Sequence, residues 1–211
     1  MSGQNKEFRF ACFMDESFDS YQSPCRNYVI SALIFLGGVY EGYKSFLESG
    51  LQLGFKTSRL FNLFNQKYLY QMGNWLKDQD FMSLTSVVSL DDYQPEIARR
   101  IALMKILNHL NILGVDTFHM DSRDNLKEKG GSLNYFDRST LSYLVRTDSR
   151  FRGSQILFEN DQSDFRFAIA DYIAWSTRRA ISANDYRFYD FFSDSNYLYR
   201  FHPEKNEAGT P

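Results

Sequence analysis

Apolar residues along the chain fall into short runs that predict strands and into helically spaced stripes that predict helices. Five runs are β-prone and about the length of a strand, at residues 8–14, 27–36, 81–89, 115–120 and 154–158. The first two runs are apolar at nearly every position, which is typical of strands covered on both faces of a sheet. Five helices are predicted at residues 40–54, 66–77, 95–113, 135–146 and 164–181. The segment at residues 55–65 is predicted to be a loop with aromatic anchors.

The order of these elements is two strands, two helices, and then strands alternating with helices, which predicts an α/β fold. We expect a mixed five-stranded sheet with helices on both faces. The length of 211 residues suits one domain, predicted over residues 1–202, with a polar tail at residues 203–211. The first two strands can pair antiparallel, because their connector needs no crossover helix.

Composition argues against several classes of protein. The net charge of −2 does not favour a groove that binds duplex nucleic acid through charge alone. Three histidines and two cysteines without ligand spacing argue against a structural zinc site. The sequence has no run of about twenty apolar residues and no apolar signal core at residues 1–7. We therefore expect no membrane span and a cytoplasmic location.

Carboxylates occur where the predicted strands end. Asp15 and Glu16 follow the first apolar run, Asp121 follows the fourth strand, and Asp161 lies in the turn after the fifth. Strand side chains alternate, so Asp15 and Glu16 point to opposite faces unless the strand bends or ends there. The alternative is that these carboxylates simply begin solvated turns, where Asp is common.

Asp171 lies on the last predicted helix with apolar residues on nearly every side, so we expect it to be buried. A buried carboxylate is costly unless it is paired, hydrogen-bonded or bound to a cation. Ala168 and Ala174 on the same face would allow a close approach by such a partner. The candidates are a metal ion, an arginine such as Arg178, or backbone donors. Clustered carboxylates bind hard divalent cations, which can promote phosphodiester cleavage.

Two segments of the chain resemble the domain of unknown function 3800. Asp15-Glu16-Ser17 resembles the opening signature of that family. Asp161 and Asp171, ten residues apart, and the run Phe-Ala-Ile-Ala-Asp-Tyr-Ile-Ala at residues 167–174 resemble its closing pattern. The resemblance covers about residues 8–195. It implies a ribonuclease H-like fold and a metal-dependent nuclease-type site of the kind found in bacteria, phages and mobile elements.

The resemblance also implies roles for individual residues. The predicted catalytic residues are Asp15, Asp121, Asp171 and Glu16. The predicted ligands of Mg²⁺ or Mn²⁺ are Asp15, Asp121, Asp171 and Asp161.

The sequence departs from the family pattern at three places. Ala168 stands where Gln is usual, Phe18 stands where Gly is usual, and residues 54–65 contain no His. These losses keep a second hypothesis open, namely a non-catalytic binding protein on the same fold that acts in phage–host conflict through protein or nucleic-acid contacts.

The end of the last helix carries the predicted nucleic-acid contacts, which are Arg178, Arg179 and Trp175. The alternative for the arginines is a solvated surface. The Tyr- and Phe-rich stretch at residues 186–199 could form core, a lid or the interface of a homodimer.

Overall fold

The computed structural model describes residues 11–19, 26–54, 56–63, 65–122, 127–128 and 131–201. The predicted tail and residues 8–10 of the first predicted strand lie outside this part of the chain. The strands and helices are β1 (Ala11–Phe18), β2 (Asn27–Phe35), α1 (Val39–Glu48), α2 (Thr57–Asn62), α3 (Gln66–Lys77), β3 (Phe81–Ser89), α4 (Pro95–Ile112), β4 (Thr117–Asp121), β5 (Lys127–Glu128), β6 (Gly131–Ser132), α5 (Leu133–Thr147), β7 (Gln155–Glu159), α6 (Phe165–Ala183) and β8 (Asn196–Phe201).

The main sheet has the strand order β7-β4-β1-β2-β3-β8. The first three strands pair antiparallel, whereas β4 lies parallel to β1, β7 parallel to β4, and β8 parallel to β3. The predicted α/β class and the antiparallel pairing of the first two strands are therefore confirmed. The strands β5 and β6 form a separate two-stranded ribbon.

Helices cover both faces of the sheet, as predicted, and each face has its own apolar core. The side chain of Ile30 in β2 packs in the core that contains α4, whereas Leu33 packs in the core that contains α6. This split explains why β2 is apolar at most positions. The predicted stop of α4 is also found, because Gly114 follows that helix with a φ of +81°, which glycine adopts without steric cost.

In the part of the chain that the structure describes, the main sheet has six strands, so the predicted count of five is wrong. The missed strand is β8, which begins inside the aromatic stretch at residues 186–199 and continues to Phe201. Phe188 and Phe192 from that stretch are buried in the core on the α6 side, while Tyr197 in β8 is 57% exposed. The core interpretation therefore holds for the first part of the stretch.

The predicted first helix and the loop after it also need correction. The helix α1 ends at Glu48 instead of residue 54, and the predicted loop contains the short helix α2. Six residues give less than two turns, too few for a helical period to be visible in the sequence. Phe61 anchors α2 by packing its ring 5.2 Å from that of Trp175 in α6. Within the described residues, no helix is both long and apolar enough to cross a membrane.

Candidate functional site

Asp15 lies inside β1, because the strand continues to Phe18 instead of ending at the acidic pair. Its side chain points toward α6 on the same face as Phe13, whose ring meets that of Phe167 edge-on at 5.1 Å. Asp15 is 6% exposed, so the solvated-turn alternative is wrong for this residue.

Parallel pairing brings Asp121 and Asp161 to the same end of the sheet as Asp15. Met14 pairs with Met120 between β1 and β4, so the residues that follow them lie side by side. Asp121 in turn pairs with Glu159, the last residue of β7, and Asp161 follows in the next turn. The convergence of these three carboxylates therefore follows from strand register.

Lys56 lies at the centre of this carboxylate cluster, and its role was not predicted from the sequence. Its Nζ atom is 3.4 Å from Oδ2 of Asp15, 3.3 Å from Oδ2 of Asp121 and 3.2 Å from Oδ2 of Asp161. Lys56 is the N-cap residue of α2, and its side chain is 39% exposed. The sequence showed only that Lys56 is a positive charge in a segment predicted to be a loop. Nothing near it in the sequence indicates that it contacts β1.

Gly54 brings this segment close to the turn after β7. Its φ of +67° favours glycine, and a Cβ atom there would collide with the side chain of Gln162. The contact between Gly54 and the Gln162 side chain joins the two segments where Lys56 reaches Asp161.

Asp171 is 9% exposed on α6 and is held from α2. The backbone nitrogen of Thr57 donates a hydrogen bond to its Oδ2 at 2.7 Å, and the Thr57 hydroxyl donates another at 2.5 Å. The predicted burial is confirmed, and the partner is a backbone and hydroxyl donor pair. Arg178 is engaged elsewhere: its Nε donates to Ser17 Oγ at 2.8 Å and it pairs with Asp19.

Burial and crowding of like charges dominate the electrostatics of the site. Burial raises the pKa of Asp15 to about 6 against the opposing charge of Lys56. Burial, together with the charge of Asp15, raises the pKa of Asp171 to about 7. Burial also raises the pKa of Asp121. For Lys56, burial lowers the pKa, but the surrounding carboxylates outweigh that effect and hold it above its ordinary value.

The raised pKa of Asp171 predicts that this carboxylate destabilises the protein as pH rises. Between its ordinary value of 3.8 and about 7, the folded protein keeps a proton that the unfolded chain has released. Its stabilising contribution is therefore complete below pH 3.8 and is lost as pH rises through about 7. Each unit by which the folded pKa exceeds the unfolded pKa lowers the unfolding free energy at high pH by about 1.4 kcal/mol.

Asp171→Asn removes this titration, so its unfolding free energy relative to wild type should increase from about pH 4 to about pH 8. Urea unfolding across that range measures the difference. Asp194→Asn, at an exposed position, is the control. A difference between Asp171→Asn and wild type that does not change with pH would contradict the expected pKa shift.

Glu16 does not join the acidic site. Its side chain points to the opposite face of β1, where Arg99 of α4 pairs with it and with Asp137 of α5. Arg99 and Asp137 are 5% and 2% exposed. The predicted catalytic role of Glu16 has no geometric support, because strand alternation separates its carboxylate from that of Asp15.

The predicted nucleic-acid contacts do not form an open surface. Trp175 is 2% exposed, and its ring packs 5.4 Å from that of Phe188, so it has no free face on which a base could stack. Arg179 pairs with Asp185 at 2.6 Å and lies 4.1 Å from the ring centroid of Phe61. Arg178 holds the end of β1 through Ser17, as described above.

The donor set fits a hard divalent cation, whereas the present spacing does not. Carboxylate oxygens are the ligands that Mg²⁺ and Mn²⁺ prefer, and three Oδ2 atoms surround one point. Among the residues that the structure describes, no three Asp, Glu, His or Cys side chains stand close enough to hold a metal ion as placed. The Lys56 ammonium would have to leave before the oxygens could close on a cation.

Comparisons with protein-family models, curated proteins and solved structures find no match to this chain.

Proposed function

We propose that the protein is a divalent-metal-dependent nuclease or a related phosphodiester-cleaving enzyme. The observation that carries the proposal is the convergence of Asp15, Asp121 and Asp161 on one point, with the buried Asp171 beside them. These four residues would hold Mg²⁺ or Mn²⁺. A divalent cation there would supply the charge that activates water and stabilises a leaving phosphate oxygen.

The electrostatics of the cluster support a role beyond stability. Packing several carboxylates into a poorly solvated site opposes their ionisation, and so the site is costly to the fold. Strongly perturbed carboxylates with specific charged neighbours are concentrated at functional sites. A bound cation would favour the ionised form of all four side chains, which gives the arrangement a physical reason.

The topology is compatible with a ribonuclease H-like domain, which we also propose. Three consecutive antiparallel strands, with β4 and β7 parallel on the other side of β1, support this assignment. The likeness of Asp15-Glu16-Ser17 and of residues 167–174 to the domain of unknown function 3800 supports it further. A cytoplasmic location and an origin in a phage or mobile element belong to the same proposal.

Cleavage assays on single- and double-stranded DNA and RNA, with Mg²⁺, Mn²⁺ or a chelator, test the proposal. Wild type should cleave at least one of these substrates only when metal is present. Asp121→Asn should lower the rate at least about a hundredfold, because metal ions contribute several kcal/mol of transition-state stabilisation.

Asp116→Asn is the matched control. Asp116 lies just before the first residue of β4, at the end of the strand away from Asp121, and it accepts a hydrogen bond from Thr117 Oγ1 at 3.0 Å. Cleavage that persists in chelator, or that is equal in the two variants, would contradict the metal mechanism.

A second candidate function is a non-catalytic binding protein on the same fold. The position of Lys56 favours it, because an internal ammonium among the carboxylates can replace a metal ion permanently. In that case, Mn²⁺ would not bind to wild type and no nucleic acid would be cleaved. Calorimetric titration with Mn²⁺ separates the two candidates.

A further inference from the structure

Lys56 contacts the same oxygen atoms that a metal ion would need. Its Nζ lies 3.2–3.4 Å from the Oδ2 atoms of Asp15, Asp121 and Asp161. Oxygen ligands approach Mg²⁺ to about 2.0–2.1 Å. An ammonium and a divalent cation therefore cannot share the centre of this cluster, and one excludes the other.

The structure allows the Lys56 side chain to leave without unfolding its surroundings. The side chain is 39% exposed, and a lysine carries its charge on a flexible four-carbon stem. Thr57, the next residue, is held without help from the lysine side chain, because its backbone nitrogen and its hydroxyl both donate to Asp171. Rotation of the lysine side chain alone would move the ammonium toward solvent and leave α2 in place.

We infer that Lys56 is a displaceable internal counter-ion, which occupies the cation position in the metal-free protein and is expelled when a divalent metal binds. The inference rests on the proposed metal-dependent function and adds regulation to it. In the metal-free state, the ammonium offsets part of the repulsion among the carboxylates. Metal binding then has to break three ion pairs, so Lys56 weakens the affinity of the site and sets the metal concentration at which the site fills.

Calorimetric titration with Mn²⁺ at about pH 8 tests this inference on wild type, Lys56→Met and Lys56→Gln. Both variants remove the competing charge, so each should bind Mn²⁺ about tenfold more tightly or better, because a unit charge a few ångströms away is worth more than 1 kcal/mol in a partly buried site. Lys56→Arg keeps the charge and should not gain affinity. Lys44→Met is the matched control, because Lys44 pairs with Glu48 on the exposed face of α1.

Thermal unfolding provides a second readout that does not depend on activity. Without metal, Lys56→Met and Lys56→Gln should melt below wild type, because the carboxylates lose their internal partner. Added Mn²⁺ should raise their melting temperatures more than that of wild type. A variant that folds only with Mn²⁺ present would support the same conclusion.

The possible failures are distinguishable. If wild type and both neutral variants bind Mn²⁺ with equal affinity, the counter-ion inference is wrong and the metal site stands. If Lys56→Gln binds Mn²⁺ more weakly than wild type, Lys56 supports the bound metal and the inference is again overturned. If none of the proteins binds Mn²⁺, the proposed function fails together with the inference.

Discussion

Asp15→Asn should reduce metal-dependent cleavage at least about a thousandfold, because it removes a negatively charged ligand from the centre of the proposed site. Asp15 is the least exposed of the three carboxylates around Lys56, and it lies on a central strand of the sheet. We expect the loss to be in the rate of cleavage at saturating metal as well as in metal affinity. Cleavage rates measured across a range of Mn²⁺ concentrations separate the two effects.

The same substitution should stabilise the metal-free fold. Burial raises the pKa of Asp15 to about 6, so above that pH the ionised carboxylate is held at a cost that a neutral side chain of the same shape avoids. At about pH 8 we expect the unfolding free energy of Asp15→Asn to exceed that of wild type by about 1–3 kcal/mol. Loss of activity with a gain of stability is the signature of a residue retained for function.

Glu16→Gln is the neighbouring comparison, and it should behave in the opposite way. Its carboxylate pairs with Arg99 on the other face of β1, so the variant should lose stability and retain cleavage when assayed as folded protein. Full activity in Asp15→Asn, or loss of activity in a stable Glu16→Gln, would contradict the assignment of the two faces.

The sequence predicted that Asp15 and Glu16 would point to opposite faces of β1, because side chains alternate along any strand. The extent of the strand was not visible, since the acidic pair resembles the beginning of a loop. Burial of Asp171 was also predictable, because apolar residues surround it on a helix. Its partner was not, because Thr57 lies 114 residues away in the chain.

The other contacts that were not predicted join residues far apart in the sequence. Lys56 reaches Asp15, Asp121 and Asp161 only after the sheet has formed, and no local pattern in the sequence encodes that meeting. Arg178 was one candidate partner for the buried Asp171, yet it pairs with Asp19 beyond β1. Helical and strand periods predict which way a side chain points, but they do not predict which distant residue it meets.

Arg99→Met should be the most destabilising substitution in the network on the opposite face of β1. Arg99 donates to Asp137 through Nε at 2.9 Å and Nη2 at 2.6 Å, and its Nη1 donates to the Tyr28 hydroxyl at 2.8 Å and pairs with Glu16. Removing the arginine leaves two buried carboxylates without this cation. Breaking a buried ion pair from one side costs about 3–5 kcal/mol. Urea unfolding at neutral pH measures the loss.

Arg100→Met is the matched control, because Arg100 is exposed on the next position of α4 and lies 5.7 Å from the ring centroid of Tyr143. It should change the unfolding free energy by about 0.5–1 kcal/mol, as exposed cation–π contacts do. Neutralising both carboxylates together with Arg99, in Glu16→Gln/Arg99→Met/Asp137→Asn, should recover much of the loss, because it removes the unpaired charges. A triple variant no more stable than Arg99→Met would show that lost packing of the arginine side chain, and not uncompensated charge, determines the cost. The Arg99 network would then stabilise β1 mainly through packing, whereas the acidic site on the other face of β1 holds its carboxylates close together at a cost in stability.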